Sequence, residues 1–243
     1  MKIKFWKDNM EKKNSERVCI DIGCGSQKKK GTLGVDFVQA PGVDYVVDLA
    51  NEPLPFDDSS VDYVFSSHFV EHMAIPSSVY LEISRVCKPG GQIELWTPYV
   101  WSNDAFIMGH TSFQSEENYL HMCVKHPKVW SPILKKRWLL QEIQYVVRMK
   151  TLEYLKEHDV DLSFAIRHYQ NIVKEIGVHI KLASNLSASS PTLLRTFSIS
   201  RDETRYELKN THIFDDIKDV RKKSRVLRSF AKGDPLPPLR GCE

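Results

Sequence analysis

The sequence predicts an α/β fold with a mostly parallel sheet that ends in a C-terminal antiparallel strand pair. Three observations support this fold class. Residues 18–22 form an apolar strand that runs into a glycine turn, which is typical of ligand-binding α/β folds. Further strand-like segments then alternate with a helical segment, as expected for helices packed on a sheet. Finally, two strand-like segments flank a polar turn near residue 187 and suggest a closing pair.

Composition is that of an ordinary globular protein. The 243 residues can bury a sizeable core and are expected to form one domain with an insertion. The net charge of +3 is too small to indicate nucleic-acid or membrane binding by itself. No run approaches the roughly 18 apolar residues of a membrane helix. The N-terminal residues also lack the apolar stretch of a signal peptide.

The cysteines point to a reducing compartment. Five are scattered along the chain without a C-x-x-C pair. This odd and irregular set argues against a disulfide framework and against a zinc knuckle. We therefore expect a cytoplasmic protein without membrane contact.

The glycine turn indicates a nucleoside site. Asp21 interrupts the apolar strand, and Gly23 and Gly25 follow it closely. Glycines at this position let the backbone approach a ligand without a Cβ in the way. A dinucleotide fingerprint has a third glycine three residues later, where this chain has Lys28. The turn therefore favours a nucleoside without a pyrophosphate.

The next two strands follow at short intervals. We predict strands at 33–38 and 43–49, with Asp36 and Asp48 near their ends. A parallel crossover usually needs about a dozen residues or more, which are not available here. The first helix of the fold is therefore expected to be shortened to a turn.

The middle of the chain predicts a strand, a helix and a fifth strand. Residues 61–67 have the composition of a buried strand. A helix is predicted over 77–87, because its apolar residues recur at helical spacing. Lys88-Pro89-Gly90-Gly91 should end that helix, and residues 92–98 form the fifth strand.

The second half predicts a helical lid followed by the closing strands. Residues 99–128 are irregular and rich in aromatic and histidine side chains. Helices are predicted over 133–157 and 162–176, the second ended by Gly177. The antiparallel pair is placed at 178–183 and 193–200.

This organisation divides the chain into three parts. We predict an N-terminal arm at 1–17, a domain at 18–203 with a lid insertion at 99–160, and a charged tail at 204–243. Basic residues concentrate at 221–228 of that tail.

Five segments in order resemble a known family. VCIDIGCG, GVDF, VVDLANEPLPF, VDYVFSSHFVEH and CKPGGQIELWTP are similar to the motifs of class I S-adenosylmethionine-dependent methyltransferases, in particular the type 11 group. The resemblance covers about residues 18–100. It implies a Rossmann-like sheet, S-adenosyl-L-methionine as cofactor and methyl transfer as the activity.

The expected cofactor residues lie at the ends of the strands. The Gly23–Gly25 backbone would face the methionine part, and Asp21 would orient the loop and the cofactor's ammonium. Asp36 ends a strand where a carboxylate can accept both ribose hydroxyls.

The resemblance also implies positions around the adenine. Asp48 would accept from the adenine amino group, beside the Leu49 backbone. Ser66 leaves the fourth strand next to the same pocket.

The string from His68 to His72 has two interpretations. H-x-x-E-H is also a zinc-peptidase signature. However, this string directly follows a strand, and Pro76 leaves little room for a long ligand-bearing helix. We therefore expect no metal here, with Glu71 and His72 in capping and packing roles.

Methyl transfer to a hydroxyl or a protonated amine is helped by a general base. His68 and His72 are the nearest candidates. Tyr99, Trp101 and His110 follow the fifth strand and are the candidate acceptor-binding residues.

The favoured function is methyl transfer to a small-molecule or sugar/glycan acceptor, with a hydroxyl as the expected target. One alternative is an RNA or protein methyltransferase that uses the basic tail. A non-catalytic cofactor-binding domain is another. The chain lacks the N-P-P-Y-type string of enzymes that methylate base amino groups, so nucleic acid is not the expected partner. Acceptor identity and oligomeric state stay open.

Overall fold

A single nine-stranded sheet forms the centre of the molecule in a computed structural model, which describes residues 17–208, 228–234 and 236–237. Its strand order is β3-β2-β1-β4-β5-β7-β6-β8-β9. Five neighbouring pairs are parallel, and three are antiparallel. The prediction of a mostly parallel α/β sheet is therefore confirmed.

Four strands make up the first half of the sheet, and all pair in parallel. They are β1 (Cys19–Ile22), β2 (Leu33–Asp36), β3 (Tyr45–Val46) and β4 (Val61–Ser67). The ten residues 23–32 join β1 to β2 through turns without a helix, so the prediction of a shortened first helix is confirmed. Leu33, the first residue of β2, pairs with Ile20 of β1, so the two strands pair directly on either side of this short connection.

Helix α1 (Pro76–Val86) covers one face of the sheet and leads directly into β5 (Cys87–Pro98). Pro76 occupies the first helical turn, where a missing N–H costs little. Val79, Ile83 and Val86 are completely or almost completely buried against the sheet. This is the apolar stripe that the sequence pattern predicts.

Short helices fill the insertion after β5. They are α2 (Glu116–Leu120), a π-helical turn (His121–Lys125) and α3 (Pro127–Leu134), preceded by 3₁₀ turns at Val70–His72 and Asn103–Phe106. The remaining elements are β6 (Arg137–Val147), α4 (Met149–Glu157), α5 (Leu162–His168), β7 (Val173–Ala183), β8 (Leu194–Ser198) and β9 (Tyr206–Glu207).

The helix predicted over 133–157 is wrong in its centre. Residues 137–147 form β6, which lies between β7 and β8 and is buried on both faces. A strand covered on both sides reads as a nearly continuous apolar run, and such a run does not distinguish strand from helix.

The helix predicted over 162–176 ends early, at His168, and β7 begins at Val173. Gly177 is therefore inside a strand and not a helix terminator. A Cβ at Gly177 would lie 2.5 Å from the Trp96 ring, so the glycine makes room for this indole.

The two predicted closing strands are not direct neighbours. β7 pairs antiparallel with β5 and β6, whereas β8 pairs in parallel with β6. The strand missed at 137–147 occupies the position between them.

Past residue 203 the chain continues to pack on the sheet. β9 pairs with β8, and Phe230 is buried against Phe197. Apart from Arg228, the basic residues noted at 221–228 lie outside the described residues. Residues 1–16 of the predicted arm also lie outside them.

The cysteines among the described residues are of two kinds. Cys24, Cys87 and Cys123 are free and buried, whereas Cys19 is disulfide-bonded. Irregular spacing excludes a repeated framework, but it does not exclude a single bridge. Among the described residues, no helix is long and apolar enough to span a membrane.

Candidate functional site

The strand order reverses between β1 and β4. From β1 the chain moves outward to β2 and β3, and it then returns to the other side of β1 with β4 and β5. Ligands of open α/β sheets bind outside the carboxyl ends of the strands at such a switch point. Asp21, Gly23 and Ser67 all lie at this point and line one cavity.

The glycine turn is held by the end of β2. The Gly23 and Cys24 amides donate to the Val35 carbonyl at 2.8 and 3.3 Å. The Gly25 amide donates to Asp36 Oδ2 at 2.8 Å. Both glycines have positive φ angles, +71° and +54°, which residues other than glycine rarely adopt.

The two glycines differ in their surroundings. A Cβ on Gly23 would lie 2.4 Å from the Phe69 side chain, so packing within the protein already requires a glycine. At Gly25 nothing lies within 4 Å of the Cβ position. The open side of the turn is therefore at Gly25, next to the Asp36 carboxylate.

Asp21 lies under the turn and is buried. Its carboxylate accepts a 2.7 Å hydrogen bond from the Lys29 amide and so fixes the far end of the loop. Burial raises the pKa of the Asp21 carboxyl to about 6, although the Lys29 amide and charge oppose the shift. The group is thus an acid of near-physiological pKa beside the cavity.

Asp36 and Asp48 both accept local backbone hydrogen bonds. Asp36 Oδ1 accepts from the Val38 amide at 3.2 Å, in addition to the Gly25 contact. Asp48 is exposed and accepts from the Ala50 amide at 3.0 Å and from Asn51 Nδ2 at 2.8 Å. Asp48 therefore caps its own turn, with Leu49 buried beside it.

Ser66 and Ser67 point to opposite faces of β4. Ser66 is buried and donates to the Ile22 carbonyl at 2.9 Å, which ties β4 to β1. Ser67 faces the cavity and accepts a 2.5 Å hydrogen bond from Arg201. Side chains alternate between the two faces of a strand, so Ser67 lines the cavity and the predicted Ser66 does not.

The cavity has a volume of about 470 Å³, within the range of small-molecule sites. It extends across the sheet face that α1 does not cover and combines charged and aromatic groups. Its lining consists of Asp21, Gly23, Cys24, Gln27, Lys29, Phe65, Ser67, Glu94, Trp96, Gln144, His179, Arg201 and Asp202.

Glu94 organises the floor of this cavity. It pairs with Lys29 at 3.0 Å and accepts hydrogen bonds from the Trp96 indole at 2.6 Å and from the Tyr63 hydroxyl. His179 lies nearby, and burial lowers the pKa of its imidazole to about 4. Glu94 is consequently ionised, and the His179 imidazole is neutral.

A chain of charged groups closes one side of the site. Arg201 donates to both carboxylate oxygens of Glu175, and its guanidinium lies 4.9 Å from the Trp96 ring centre. His68 joins the chain through Nε2, which lies 2.9 Å from Glu175, and through Nδ1, 3.0 Å from Glu71.

These contacts set the ionisation of the chain. Burial opposes protonation of His68, but its hydrogen bonds to Glu175 and Glu71 raise the pKa of the imidazole to about 9. Burial likewise opposes ionisation of Glu175, yet His68 and Arg201 hold the pKa of this carboxyl at about 2.

The residues predicted to bind an acceptor are separated. Tyr99 is buried and meets Tyr145 edge-on at 6.2 Å between ring centres. Trp101 is 46% exposed, and its carbonyl accepts from the Asn171 amide. Only His110 approaches another predicted residue, with its ring centre 4.7 Å from that of His72.

A second cavity of about 460 Å³ lies between α1 and the helical insertion. Tyr80 of α1 and Gln114, Tyr119 and Trp130 of the insertion line it. Apolar surface predominates there, in contrast to the charged cavity at the switch point.

Sequence reasoning missed Glu94, Glu175 and Arg201. An acid in the apolar run of 92–98 could have drawn attention to Glu94, because charged residues are rarely buried without a partner. Glu175 lies within the helix predicted over 162–176, so its position in the site is not predicted. Arg201 follows β8 and belongs to no recognisable motif.

Comparison with known proteins finds a similarity in the first part of the chain. Residues 10–95 match the model of the methyltransferase domain. The biotin biosynthesis bifunctional protein BioHC of Cellvibrio japonicus (strain Ueda107) is 29% identical over 119 residues, which are 49% of this chain. The match spans only 22% of that protein's length.

Solved structures with a related arrangement include a SAM-dependent methyltransferase from Archaeoglobus fulgidus, with a TM-score of 0.46, 16% identity and coverage of 73% of this chain and 91% of that one. Geranyl diphosphate C-methyltransferase from Streptomyces coelicolor A3(2) gives a TM-score of 0.44, 15% identity and coverage of 74% and 78%.

Proposed function

We propose that the chain is a class I S-adenosylmethionine-dependent methyltransferase that transfers a methyl group to a small-molecule or sugar/glycan acceptor, with a hydroxyl as the target. The match of residues 10–95 to the methyltransferase domain supports this proposal. One observation carries the proposal. The Asp36 carboxylate holds the open side of a positive-φ glycine turn, at the point where the strand order reverses.

Asp21, Gly23, Gly25 and Asp36 form the core of the proposed cofactor site. Within the described part of the chain, Asp36 accepts one amide on each oxygen, so each oxygen keeps a lone-pair direction for a ribose hydroxyl. The ionised Asp21 attracts the cofactor's ammonium. Asp48 and Leu49 lie beyond β3 and are proposed for the adenine end, while Ser66 contributes by holding β4 against β1.

S-adenosylmethionine supplies a methyl group that its sulfonium already activates. The protein must then align the acceptor and exclude water. Arg201 stands at one end of the charged chain that continues through Glu175 to His68, and it lines the cavity, where it can fix a polar acceptor group.

The two predicted bases are not equivalent. Both ring nitrogens of His68 contact carboxylates, which leaves none to take a proton, and we assign it a positioning role. His72 contacts the Gly109 carbonyl through Nδ1 and keeps the second nitrogen available.

The acceptor is proposed to contact the insertion at 99–160. His110 lies beside His72, and the apolar cavity at Tyr80 and Trp130 can hold an apolar part of the molecule. Trp101 is exposed on the same segment, whereas Tyr99 supports it from the core.

Replacing Asp36 tests the cofactor site. Asp36→Ala removes the ribose acceptor and the Gly25 anchor together, and hydrogen bonds to charged groups contribute about 1.5–3 kcal/mol each. We expect the affinity for S-adenosylhomocysteine, measured by calorimetry, to fall at least about tenfold. The exposed Asp57→Ala is the matched control and should bind normally. Equal affinity of Asp36→Ala and the unchanged protein would contradict the assignment.

Turnover separates an enzyme from a binding domain. The protein is incubated with methyl-labelled cofactor and pools of hydroxylated small molecules and glycans. Label transfer that is lost in Asp36→Ala supports the proposal. Tight cofactor binding without transfer to any pool would favour the non-catalytic alternative.

A further inference from the structure

Three potential metal ligands converge outside the proposed cofactor site. Glu71 and His72 belong to the 3₁₀ turn after β4, and His110 comes from the insertion. One carboxylate oxygen of Glu71 and one ring nitrogen of each histidine lie within 4.8 Å of one another. Two imidazoles and a carboxylate are a common ligand set for transition metals in proteins.

Glu71 supplies a second and independent indication. The residue is only 2% exposed, and His68 contacts its Oε1 at 3.0 Å. Its Oε2 is buried and has no hydrogen-bond partner among the residues that the structure describes. A buried carboxylate oxygen without a partner is costly, and a bound cation removes that cost.

A backbone carbonyl fixes the Nδ1 side of each histidine ring. Nδ1 of His72 lies 3.1 Å from the Gly109 carbonyl, and Nδ1 of His110 lies 3.3 Å from the Ala105 carbonyl. A carbonyl only accepts, so each Nδ1 carries the proton and Nε2 keeps a lone pair. Metal-binding histidines typically show this arrangement, in which a backbone carbonyl orients the ring.

The two segments are also held together. The Thr111 and Ser112 amides donate to the Glu71 carbonyl at 2.8 and 3.1 Å. Ser112 Oγ donates to the Val70 carbonyl at 2.9 Å. The backbone on both sides of the cluster is therefore positioned before any ligand arrives.

We propose that Glu71, His72 and His110 bind one divalent ion of the first transition row, with zinc as the best match. Zinc–nitrogen distances of about 2.0–2.1 Å place tetrahedral ligands about 3.4 Å apart, so the three donors need to close by roughly an ångström. His72 is exposed, which leaves a coordination position open to solvent.

This assignment changes the interpretation of the H-x-x-E-H string. His68 faces Glu175 and orients Glu71, and His110 replaces it as the third ligand. A bound ion also removes His72 from the candidates for general base. The inference does not depend on the proposed methyl transfer, because metal binding is measured without cofactor.

Titration of the chelator-treated full chain with zinc chloride tests the site. Calorimetry should show one ion per chain. Cobalt(II) should give the visible absorption of a low-symmetry site. His72→Ala and His110→Ala should each weaken zinc binding at least about tenfold, since the loss of a residue that merely hydrogen-bonds to a metal ligand already costs about 10–100-fold in affinity.

The matched control is His126→Ala. His126 belongs to another histidine pair, with 4.5 Å between its ring centre and that of His121, and lies outside the proposed site. Its loss should leave the affinity unchanged. Thermal unfolding of each metal-free variant verifies that it folds. Glu71→Gln is a further ligand variant, and the two histidine variants decide the outcome if it does not fold.

A zinc affinity in His110→Ala equal to that of the unchanged protein, or zinc binding that disappears in His126→Ala, would overturn the proposal. The same holds if the unchanged protein takes up no zinc.

Discussion

Asp21 is subject to two opposing requirements. Its carboxylate anchors the glycine loop through the Lys29 amide, but burial raises its pKa to about 6. In the unfolded chain an aspartate ionises near 3.9. Ionised Asp21 therefore lowers the stability of the folded state, and this cost develops as the pH rises from about 4 to about 6.

Asp21→Asn should consequently stabilise the protein at pH 7. A shift of about two pKa units corresponds to roughly 2–3 kcal/mol, and the amide oxygen of asparagine can still accept from Lys29. Denaturant unfolding at pH 7 and pH 4 measures the effect, which should be absent at the lower pH. A variant that is less stable at pH 7 would contradict this account.

The same residue predicts a pH dependence of cofactor binding. In the proposed cofactor site, protonation of Asp21 would remove the negative charge that faces the ammonium, so the Kd should rise as the pH falls through about 6. Calorimetry between pH 5 and pH 8 is the measurement. In Asp21→Asn the affinity should be low and nearly constant over this range, and a pH dependence that persists would rule out Asp21 as its source.

At Gly177 the absence of a side chain leaves room for the Trp96 ring on the neighbouring strand. An added Cβ would lie 2.5 Å from the Trp96 ring. We expect Gly177→Ala to cost about 1–3 kcal/mol, as overpacking usually does. In a double-mutant cycle with Trp96→Leu the cost should become smaller, because the space is then free. Equal costs in the two backgrounds would show that the indole is not responsible.

Among the elements, the residue directly before β9 is attached to β6 by a buried ion pair. Arg205 Nη1 lies 2.7 and 2.9 Å from the two carboxylate oxygens of Glu142, and Thr196 donates to the same carboxylate at 2.6 Å. Both charged side chains are less than 10% exposed. This contact lies beyond the domain boundary predicted at residue 203.

Glu142→Gln should therefore be strongly destabilising. Removing one partner of a buried pair typically costs about 3–5 kcal/mol, because the other charge stays buried. Glu117→Gln is the control, since its pair with Lys125 is about half exposed and should contribute at most about 1 kcal/mol. Chemical denaturation compares the two, and similar losses would contradict the burial argument.

The sequence predicts those elements whose patterns are local. β1, β4 and α1 have distinctive apolar runs or helical spacing, and their bounds agree with the structure to within a few residues. β6 was missed because a strand buried on both faces shows no period. The β7 segment was partly assigned to a helix for a similar reason.

Site residues follow the same division. Gly25 and Asp36 are eleven positions apart, both are predicted for the cofactor site from nearby motifs, and one hydrogen bond joins them in the structure. The approach of His110 to His72, and of Arg201 to Ser67 and Glu175, depends on how distant segments pack. No local pattern in the chain contains this information.

For the whole molecule, stability should decrease from the centre of the sheet to the β3 edge. β7 has partners on both sides, and Ile176, Val178 and Ile180 are fully buried. β3 has only two residues and a single neighbouring strand. Hydrogen exchange should therefore be slowest in β5, β7 and β6 and fastest in β3. Faster exchange in β7 than in β3 would contradict this order.

The short connection between β1 and β2 has a consequence for how the chain folds. Ile20 and Leu33 are close in sequence, so their pairing closes a small loop at a low entropic cost. Gln92 of β5 must find Lys181 of β7 across almost ninety residues. Contacts of such different range form at different rates. The parallel pair at the glycine turn can form while the second half of the sheet is still open, and the glycine loop with its two strands can then serve as an early template for the rest.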